Sequence, residues 1–428
     1  MEALSKLFIP LIAIILVTRL GSLISKRFDL PAVTIQLLIG TGLGPSLLNL
    51  LGEPIVLGTW GSPSPSPLHG VLKILGEIGL IQLMFLAGLE VDWQEQKKKI
   101  RSSFSVGAWG FVLTAVIVAV ITKVFMDRWA EALAMGAIMA ASGFGISTNN
   151  FRGMKFLESR AANVILEAAI LSGLLAILLM IASLTVKYGL AFGMFRATIA
   201  ASWLLAKLTM FFMISYFLMS RFLHRIAKKG IEKRPRQMLI GYLLLVAALY
   251  AWAAMHFGSF AAVGVASLGG TLLGMSNFGL REKISKGFES IMVSLPVGVL
   301  FVMFGMEVNI QEAQTSIIFF AVLLIVVVVA RLMGSWIATR KVLDSSRDRM
   351  LTMFGVLSQG EMGMLIAAYL FSRGVVNSSQ FNIAIIVVLL LTMISPILMK
   401  IAGKLSLRGV PQCGTTKQSL EIASRSLS

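Results

Sequence analysis

Cysteine, histidine and charged residues are scarce in this chain, and their scarcity excludes several classes of protein. The one cysteine, Cys413, lies in a polar stretch, so neither a disulfide framework nor a cysteine metal site is expected. The histidines His69, His224 and His256 are far apart, and we predict no metal centre and no cofactor. Charged residues make up only 14% of the 428 residues, whereas soluble globular chains have roughly 25%. A soluble enzyme with catalytic residues is therefore not expected.

Hydrophobic residues, in contrast, make up 57% of the chain and recur in runs of about 20. Such a run is long enough to cross a hydrocarbon core roughly 30 Å thick as a helix. We predict about thirteen spans, centred near residues 16, 40, 80, 114, 140, 174, 206, 247, 266, 297, 326, 362 and 391. The fold class is thus an all-α polytopic membrane protein.

The net charge is +18, and the basic residues responsible for it are distributed as membrane topology predicts. This placement argues against nucleic acid as a partner. The basic residues lie in the loops after odd-numbered spans, and the other loops are nearly free of them. They are Lys26, Arg27, Lys97, Lys98, Lys99, Arg101, Arg152, Lys155, Arg160, the basic residues from Arg221 to Arg236, Arg281, Lys283, Lys286, Arg340, Lys341, Arg347 and Arg349. Because cytoplasmic loops carry an excess of Lys and Arg, we predict a bacterial-type inner-membrane protein with its N-terminus outside and its C-terminus in the cytoplasm. The first apolar run has no small-residue cleavage site and is expected to be a retained helix.

The longest basic loop, Ser220 to Gln237, follows the seventh span, so that six spans precede the seventh and six follow it. An odd linker helix forces the two halves into opposite orientations, which predicts two inverted repeats. The expected segments are a first repeat at about 7–187, a linker helix at about 194–219 and a second repeat at about 238–403. Residues 404–428 form a short polar cytoplasmic tail, for which we predict disorder and no nucleotide-binding domain.

The fifth span of each half contains clustered glycine and serine, from Ala141 to Ser147 and from Gly355 to Gly363. Small residues also serve close helix packing in membranes, so this pattern alone has two explanations. Its occurrence at corresponding positions favours two broken helices that cross near the bilayer midplane, where inverted-repeat transporters bind their substrates.

Several motifs resemble the monovalent cation:proton antiporter superfamily, the Kef-type and Na+/H+ exchanger relatives, over about residues 7–403. The motifs are Pro31-Ala32-Val33, Gly40 to Ser46, Gly76 to Leu80, Leu83 to Asp92, Gly264 to Gly270, Phe304 to Asn309 and Ser358 to Glu361. The resemblance implies a core domain that slides past a panel domain, an elevator, usually in a homodimer, and leaves room for a partner protein.

The chain also departs from this family. The resemblance implies that an acidic pair on the sixth helix, which binds the cation and takes the proton, falls at Ser172-Gly173, where neither residue can be charged. Gln36 stands where relatives often have Glu. The basic residue of the eleventh span is kept as Arg331, and a buried cation needs a partner or a function. Lys207 in the seventh span is explained by snorkelling along its aliphatic stem or by a role in transport.

Three carboxylates are candidates for a proton carrier or an ion pair: Glu361, Glu167 and Glu77. Glu167 precedes Ser172 by five residues, which turns it about 140° away on a helix, so it does not simply replace an aspartate there. The charge of Arg331 has four possible partners, namely Glu361, Glu167, backbone carbonyls with water, or a bound anion. Glu361 is the better candidate and is explained equally by a structural ion pair that holds the two broken helices together, whereas Glu77 is interpreted as a structural residue of the family.

These residues predict a protein with the fold of a secondary transporter, for which three functions stay open. The first is a cation:proton antiporter, and the second is a small-anion or carboxylate transporter that uses Arg331. The third is a non-transporting scaffold or sensor subunit. The candidate substrate-binding residues are Ser142, Gly143, Ser147, Ser172, Gly173 and Arg331.

Overall fold

A computed structural model of the chain describes residues 2–28, 32–49, 67–90, 100–153, 160–228, 296–313 and 316–408. These ranges consist of α-helices and short connections, and they contain no strand. The helices are α1 Glu2–Phe28, α2 Ala32–Leu43, α3 Pro67–Glu90, α4 Ile100–Met126, α5 Trp129–Ala140, α6 Phe144–Gly153, α7 Arg160–Phe192, α8 Met194–Lys228, α9 Pro296–Met306, α10 Ile310–Ala313, α11 Ile317–Val342, α12 Ser346–Gly355, α13 Gly360–Ser372 and α14 Ser378–Arg408.

Six segments are long and apolar enough to cross a membrane, which agrees with an all-α membrane protein. They are Phe104–Met126, Trp129–Thr148, Arg160–Phe192, Ile317–Val342, Ser346–Ser372 and Ser378–Ala402, and three shorter apolar helices accompany them. Two of the six segments consist of two helices joined by a break, α5 with α6 and α12 with α13. The predicted spans near 247 and 266 lie outside the described residues, so thirteen spans and two inverted repeats stay predictions.

The helices α1, α2, α3 and α9 pack on one another as a first group. Gly40 of α2 and Gly305 of α9 have no side chain, so the two backbones lie in direct contact. The amide of Gln36 ties α2 to α1, since its Nε2 donates to Ser22 Oγ at 3.2 Å and to Thr18 O at 3.4 Å. This position therefore has a structural role in the first group.

The helices α4, α5, α7, α11, α12, α13 and α14 form a second group, with α4 and α5 against α7 and α11 against α4. The helix α6 contacts both groups, because it packs on α2 and α3 as well as on α7 and α13. A side chain at Gly145 of α6 would overlap Leu83 and Met84 of α3. The break that begins α6 thus lies where the two groups meet.

Candidate functional site

Two helix breaks face each other, one between α5 and α6 and one between α12 and α13, and we call this region the crossover, residues 139–147 and 355–361. The helix α5 ends at Ala140, and α6 begins at Phe144. The helix α12 ends at Gly355, and α13 begins at Gly360, whose φ is +60°. Both breaks were predicted from the glycine and serine pattern, and the crossover is buried.

The breaks are in direct contact through their glycines. A Cβ atom on Gly143 would lie 2.5 Å from the Cα of Gly360, and one on Gly360 would lie 2.7 Å from the Cα of Gly143. The Gly143 amide also donates to Ser358 O at 3.4 Å. Because a side chain at either position would overlap backbone, only glycine allows this approach. The two breaks that the sequence predicts therefore cross in direct contact, with Gly143 against Gly360.

Arg331 of α11 reaches into the crossover and is 1% exposed. Its Nε and Nη2 donate to Met139 O at 3.1 and 2.8 Å, and Nη2 also donates to Ala141 O. Its Nη1 donates to Val356 O at 2.6 Å and to Ser142 Oγ at 3.1 Å. Met139 and Ala141 terminate α5, and Val356 terminates α12. One guanidinium therefore caps the C-terminal ends of two helices.

These contacts decide among the four partners considered for Arg331. A guanidinium has five N–H groups, and the five hydrogen bonds use all of them within the protein. The partners are three backbone carbonyls and one hydroxyl, rather than Glu361 or Glu167. In this conformation Arg331 has no donor left for an anion.

Glu361 has a different partner, the N-terminal end of α6. Its Oε1 accepts from the Gly145 amide at 2.8 Å, and its Oε2 accepts from the Ile146 amide at 3.1 Å. The side chain is 0% exposed. Free amides and the positive end of the helix dipole stabilise a negative group at this place. The crossover thus holds one cation at two helix C-termini and one carboxylate at a helix N-terminus.

Two crossover residues, Gln359 and Ser358, and the neighbouring Thr392 of α14 were not among the candidates from the sequence. Gln359 donates from Nε2 to Met139 O at 2.7 Å, which fixes the orientation of its amide. Ser358 lies beside it in the same break, and both are buried. The sequence could have indicated Ser358 and Gln359, because they are two polar side chains within an apolar span. Thr392 accepts from the Gly360 amide at 3.1 Å, and nothing in its surrounding sequence indicates this contact.

Ser172 and Gly173 of α7 lie next to α13. The position of a Cβ on Gly173 is 3.4 Å from Met362 Cε, one residue beyond Glu361. Ser172 Oγ donates to Ala169 O of its own helix at 3.1 Å. The two positions therefore border the crossover without a direct bond to Arg331.

The remaining candidates lie at different distances from the centre. Ser147 is buried in α6 and donates to Gly143 O at 2.6 Å, so its hydroxyl reinforces the first turn of that helix. Glu167 is half-buried on α7. Glu77 is buried on α3, and its Oε1 has no hydrogen-bond partner among the described residues. Glu77 belongs to the first helix group, and Lys207 is exposed on α8 beside Trp203.

Comparisons with known proteins agree with this fold. A sequence profile of the sodium/hydrogen exchanger transmembrane family matches residues 12–401. A Na+/H+ antiporter of Enterococcus hirae is 27% identical over 395 residues, which cover 92% of this chain and 97% of that protein. The Na+/H+-K+ antiporter GerN of Bacillus cereus is 25% identical over 396 residues, covering 92% and 95%.

Solved structures show the same likeness. A sodium proton antiporter of Methanocaldococcus jannaschii superposes with a TM-score of 0.66 at 17% identity, covering 94% of this chain and 99% of that one. An electron-microscopy structure of the same antiporter gives a TM-score of 0.70, covering 96% and 100%. At this identity the likeness concerns the fold. Together with the profile match over nearly the whole chain, it shows that this integral membrane protein belongs to the sodium/hydrogen exchanger family of transporters and is not an enzyme.

Proposed function

We propose that the chain is a secondary-active antiporter that exchanges a monovalent cation for protons, and that the cation binds at the crossover. The observation that supports this is an imbalance between donors and acceptors. All five N–H groups of Arg331 are used, whereas Ser358 Oγ and Gln359 Oε1 are buried without a hydrogen-bond partner among the described residues.

Spare oxygen atoms suit a cation better than an anion. Hard cations are bound by carbonyl, hydroxyl and carboxylate oxygens in proteins, and ion pathways in membranes use the same groups. The orientation of the Gln359 amide directs its oxygen away from Met139, where its nitrogen is bound. The names of the E. hirae and B. cereus relatives, which specify Na+ and K+, support the same substrate class.

The resemblance places the neutral Ser172-Gly173 where relatives have an acidic pair, so we propose Glu361 as the proton carrier. It is a buried carboxylate at the crossover, and each of its oxygens accepts one backbone hydrogen bond. A carboxylate oxygen has more than one lone pair, so Glu361 can still bind a proton or a cation. Glu77 is the second candidate, because its Oε1 is buried without a partner among the described residues.

We further propose alternating access by an elevator motion, with two inverted repeats and a homodimer in the inner membrane. The separation into two helix groups that meet at α6 supports a moving core against a static panel. The N-terminus outside and the C-terminus in the cytoplasm follow from the basic loops.

The test is a proteoliposome assay with a pH-sensitive dye inside the vesicles. Gradients of Na+, K+ or a small anion are imposed in separate runs, and proton flux is recorded. We expect flux driven by a cation and none driven by the anion. Anion-driven flux that Arg331→Gln abolishes would support the anion transporter instead.

Two matched variants locate the cation site. Ser358→Ala removes a buried hydroxyl without a partner at the crossover, and Thr122→Val removes one on α4. We expect Ser358→Ala to raise the apparent KM for the cation about three- to tenfold, since one oxygen ligand is worth roughly 1 kcal/mol. Thr122→Val should leave the KM unchanged. Equal effects of both variants would contradict a site at the crossover.

A non-transporting subunit is the second candidate, and one contact favours it. Met362 lies against Gly173 and occupies the space beside the position expected for the acidic pair. A family member that fills this space can lose transport and keep the fold. Absence of flux with every ion tested, in vesicles whose protein is folded, would support this candidate.

A further inference from the structure

A cavity of about 440 Å³ opens between α7, α8 and the C-terminal end of α13, away from the crossover. Its walls are aliphatic or aromatic except for Thr185, Arg196 and Arg373. In its walls Leu184 is buried and Leu204 is half-buried, whereas both arginines are exposed. Such a volume holds a ligand of drug size, and this one combines an apolar slot with two cations.

The cavity is held in shape by contacts across its rim. Lys187 of α7 donates from Nζ to Arg373 O at 2.9 Å and also to Gly374 O, which joins α7 to the turn after α13. The guanidinium of Arg373 lies over the ring of Tyr369, 5.2 Å from its centre. Tyr369 also lines the cavity, so this stacking holds the cation at its edge.

No acidic side chain of the described residues pairs with Arg196 or Arg373. Ion pairs among the described residues join Lys123 with Asp127, Arg128 with Glu131 and Arg160 with Asp344, and none of these involves either arginine. The distribution of basic loops predicts that this end of α7, α8 and α13 faces the outside, and membrane proteins carry few basic residues on that side. Lys187, Arg196 and Arg373 are therefore three basic residues at an end of the helices where few are expected.

We propose that this cavity binds an anionic phospholipid. Its phosphate lies between Arg196 and Arg373, since guanidinium groups bind phosphate with paired hydrogen bonds. One acyl chain lies along the slot between α7 and α8, against Leu184 and Leu204. A free phosphate would meet the two cations but leave the apolar slot uncovered, so a lipid accounts for both features.

The proposed lipid site lies between the predicted linker helix and two helices that border the crossover. α13 begins with Gly360 and Glu361 at the crossover, α7 carries Ser172, and α8 is the predicted linker helix. A bound lipid fastens α8 to the crossover helices. The anionic lipid content of the membrane is therefore expected to influence both the stability of the chain and the movement of these helices.

The test uses the full-length chain purified in detergent, with phosphatidylglycerol or phosphatidylcholine of matched acyl chains added. Retained lipid is measured by native mass spectrometry, and thermal stability is measured in parallel. We expect phosphatidylglycerol to be retained at least about tenfold better than phosphatidylcholine, because tenfold is the equivalent of one charge-assisted contact. R196Q/R373Q should abolish this preference.

The matched control is R221Q/R340Q, which also removes two exposed arginines that stack on aromatic rings. It should keep the preference, and an equal loss in both double variants would reduce the effect to net charge and overturn the proposal. Ala200→Phe keeps both arginines and fills the slot, so it should also release the lipid. Retention of phosphatidylglycerol in folded Ala200→Phe, or equal stabilisation by inorganic phosphate through the same arginines, would overturn the lipid site.

Discussion

The break between α5 and α6 contains no charged residue, whereas the break between α12 and α13 is followed at once by Glu361. The first break receives both of its charges from other helices, Arg331 at the end of α5 and Glu361 at the start of α6. The second break shares Arg331 through Val356 O and has a threonine hydroxyl at the amide of Gly360. Two breaks that look alike in sequence thus differ in their electrostatics.

The helix α6 therefore depends on charged groups of other helices more than α13 does. Removal of Arg331 affects both breaks, and removal of Glu361 affects chiefly the first. Substitutions at and near the two breaks separate these contributions.

Arg331→Ala is expected to have the largest effect, because it leaves the buried carbonyls of Ala141 and Val356 without a partner. Each such group costs about 1–3 kcal/mol, so the loss should be about 3–5 kcal/mol. Arg331→Lys keeps the charge but offers three donors instead of five, and we expect roughly half of that loss. Thermal unfolding in detergent measures both. A melting temperature unchanged in Arg331→Ala would contradict its capping role.

Gly360→Ala and Gly143→Ala test the contact of the two breaks. Both place a Cβ against the other glycine, and we expect losses of about 2–4 kcal/mol from overlap. Gly360 has φ at +60°, so its substitution should cost about 1 kcal/mol more. Gly42→Ala is the control, because the nearest atom to its Cβ is 4.0 Å away. Equal melting temperatures for all three variants would mean that the breaks are not in contact.

Glu361→Gln keeps the size of the side chain but removes its charge. The amide oxygen can accept from one of the two α6 amides, and its NH2 group then faces the other. We expect a loss of about 1–3 kcal/mol and a large fall in proton-coupled flux. The control is Glu131→Gln, a half-buried carboxylate that accepts from Gln380 Nε2 at 2.7 Å outside the crossover. Unchanged flux in Glu361→Gln would transfer the search for the proton carrier to Glu77.

Gly173→Asp places a carboxylate beside the second break. The flexible end of Met362 lies at 3.4 Å and can move, so we expect the fold to persist. Added negative charge should increase cation-driven proton flux at least about twofold, because it offers a second group for cation and proton. Gly173→Asn is the uncharged control of the same shape. A similar flux in both variants would show that charge at this place is not limiting.

The smallest effect is expected at the exposed C-terminal end of α4. There Lys123 donates to a carbonyl at a helix end in solvent, as Arg331 does at two buried helix ends. Lys123 Nζ donates to Asp127 O at 2.7 Å and to Asp127 Oδ1 at 2.5 Å. The hydrogen bond and charge of Lys123 hold the pKa of the Asp127 carboxyl below its ordinary value. A lowered pKa in the folded state adds stability above the ordinary pKa of aspartate, and this is lost as the pH falls through the folded value.

Because Asp127 is fully exposed, solvent screening leaves little of that contribution. Asp127→Asn should therefore change the melting temperature by no more than the experimental error at neutral pH. A large change at pH 7 that disappears near pH 3 would show that an exposed charged contact stabilises this fold strongly. It would contradict the interpretation that Arg331 is important because it is buried.

Much of the crossover could be predicted from the sequence. Glycine and serine clusters in apolar spans marked both breaks, and a charged residue in an apolar run indicated that Arg331 is buried. The partner of Arg331 could not be predicted, because carbonyl groups are present at every residue and only helix packing selects three of them. Thr392 was missed for a related reason, since a threonine in an apolar helix usually bonds its own backbone, as it also does here.

Hydrophobicity, glycine content and the cost of a charge in hydrocarbon are local properties, so the class of the protein, the position of the breaks and the burial of Arg331 could be inferred from the sequence. The tertiary structure decided where the charges act. Glu361 lies 215 residues from Ile146 in the chain and 3.1 Å from its amide, and no pattern in sequence encodes such a contact. It arises because packing brings the ends of four helices together, and buried helix ends must be satisfied by whatever charged groups that packing places beside them.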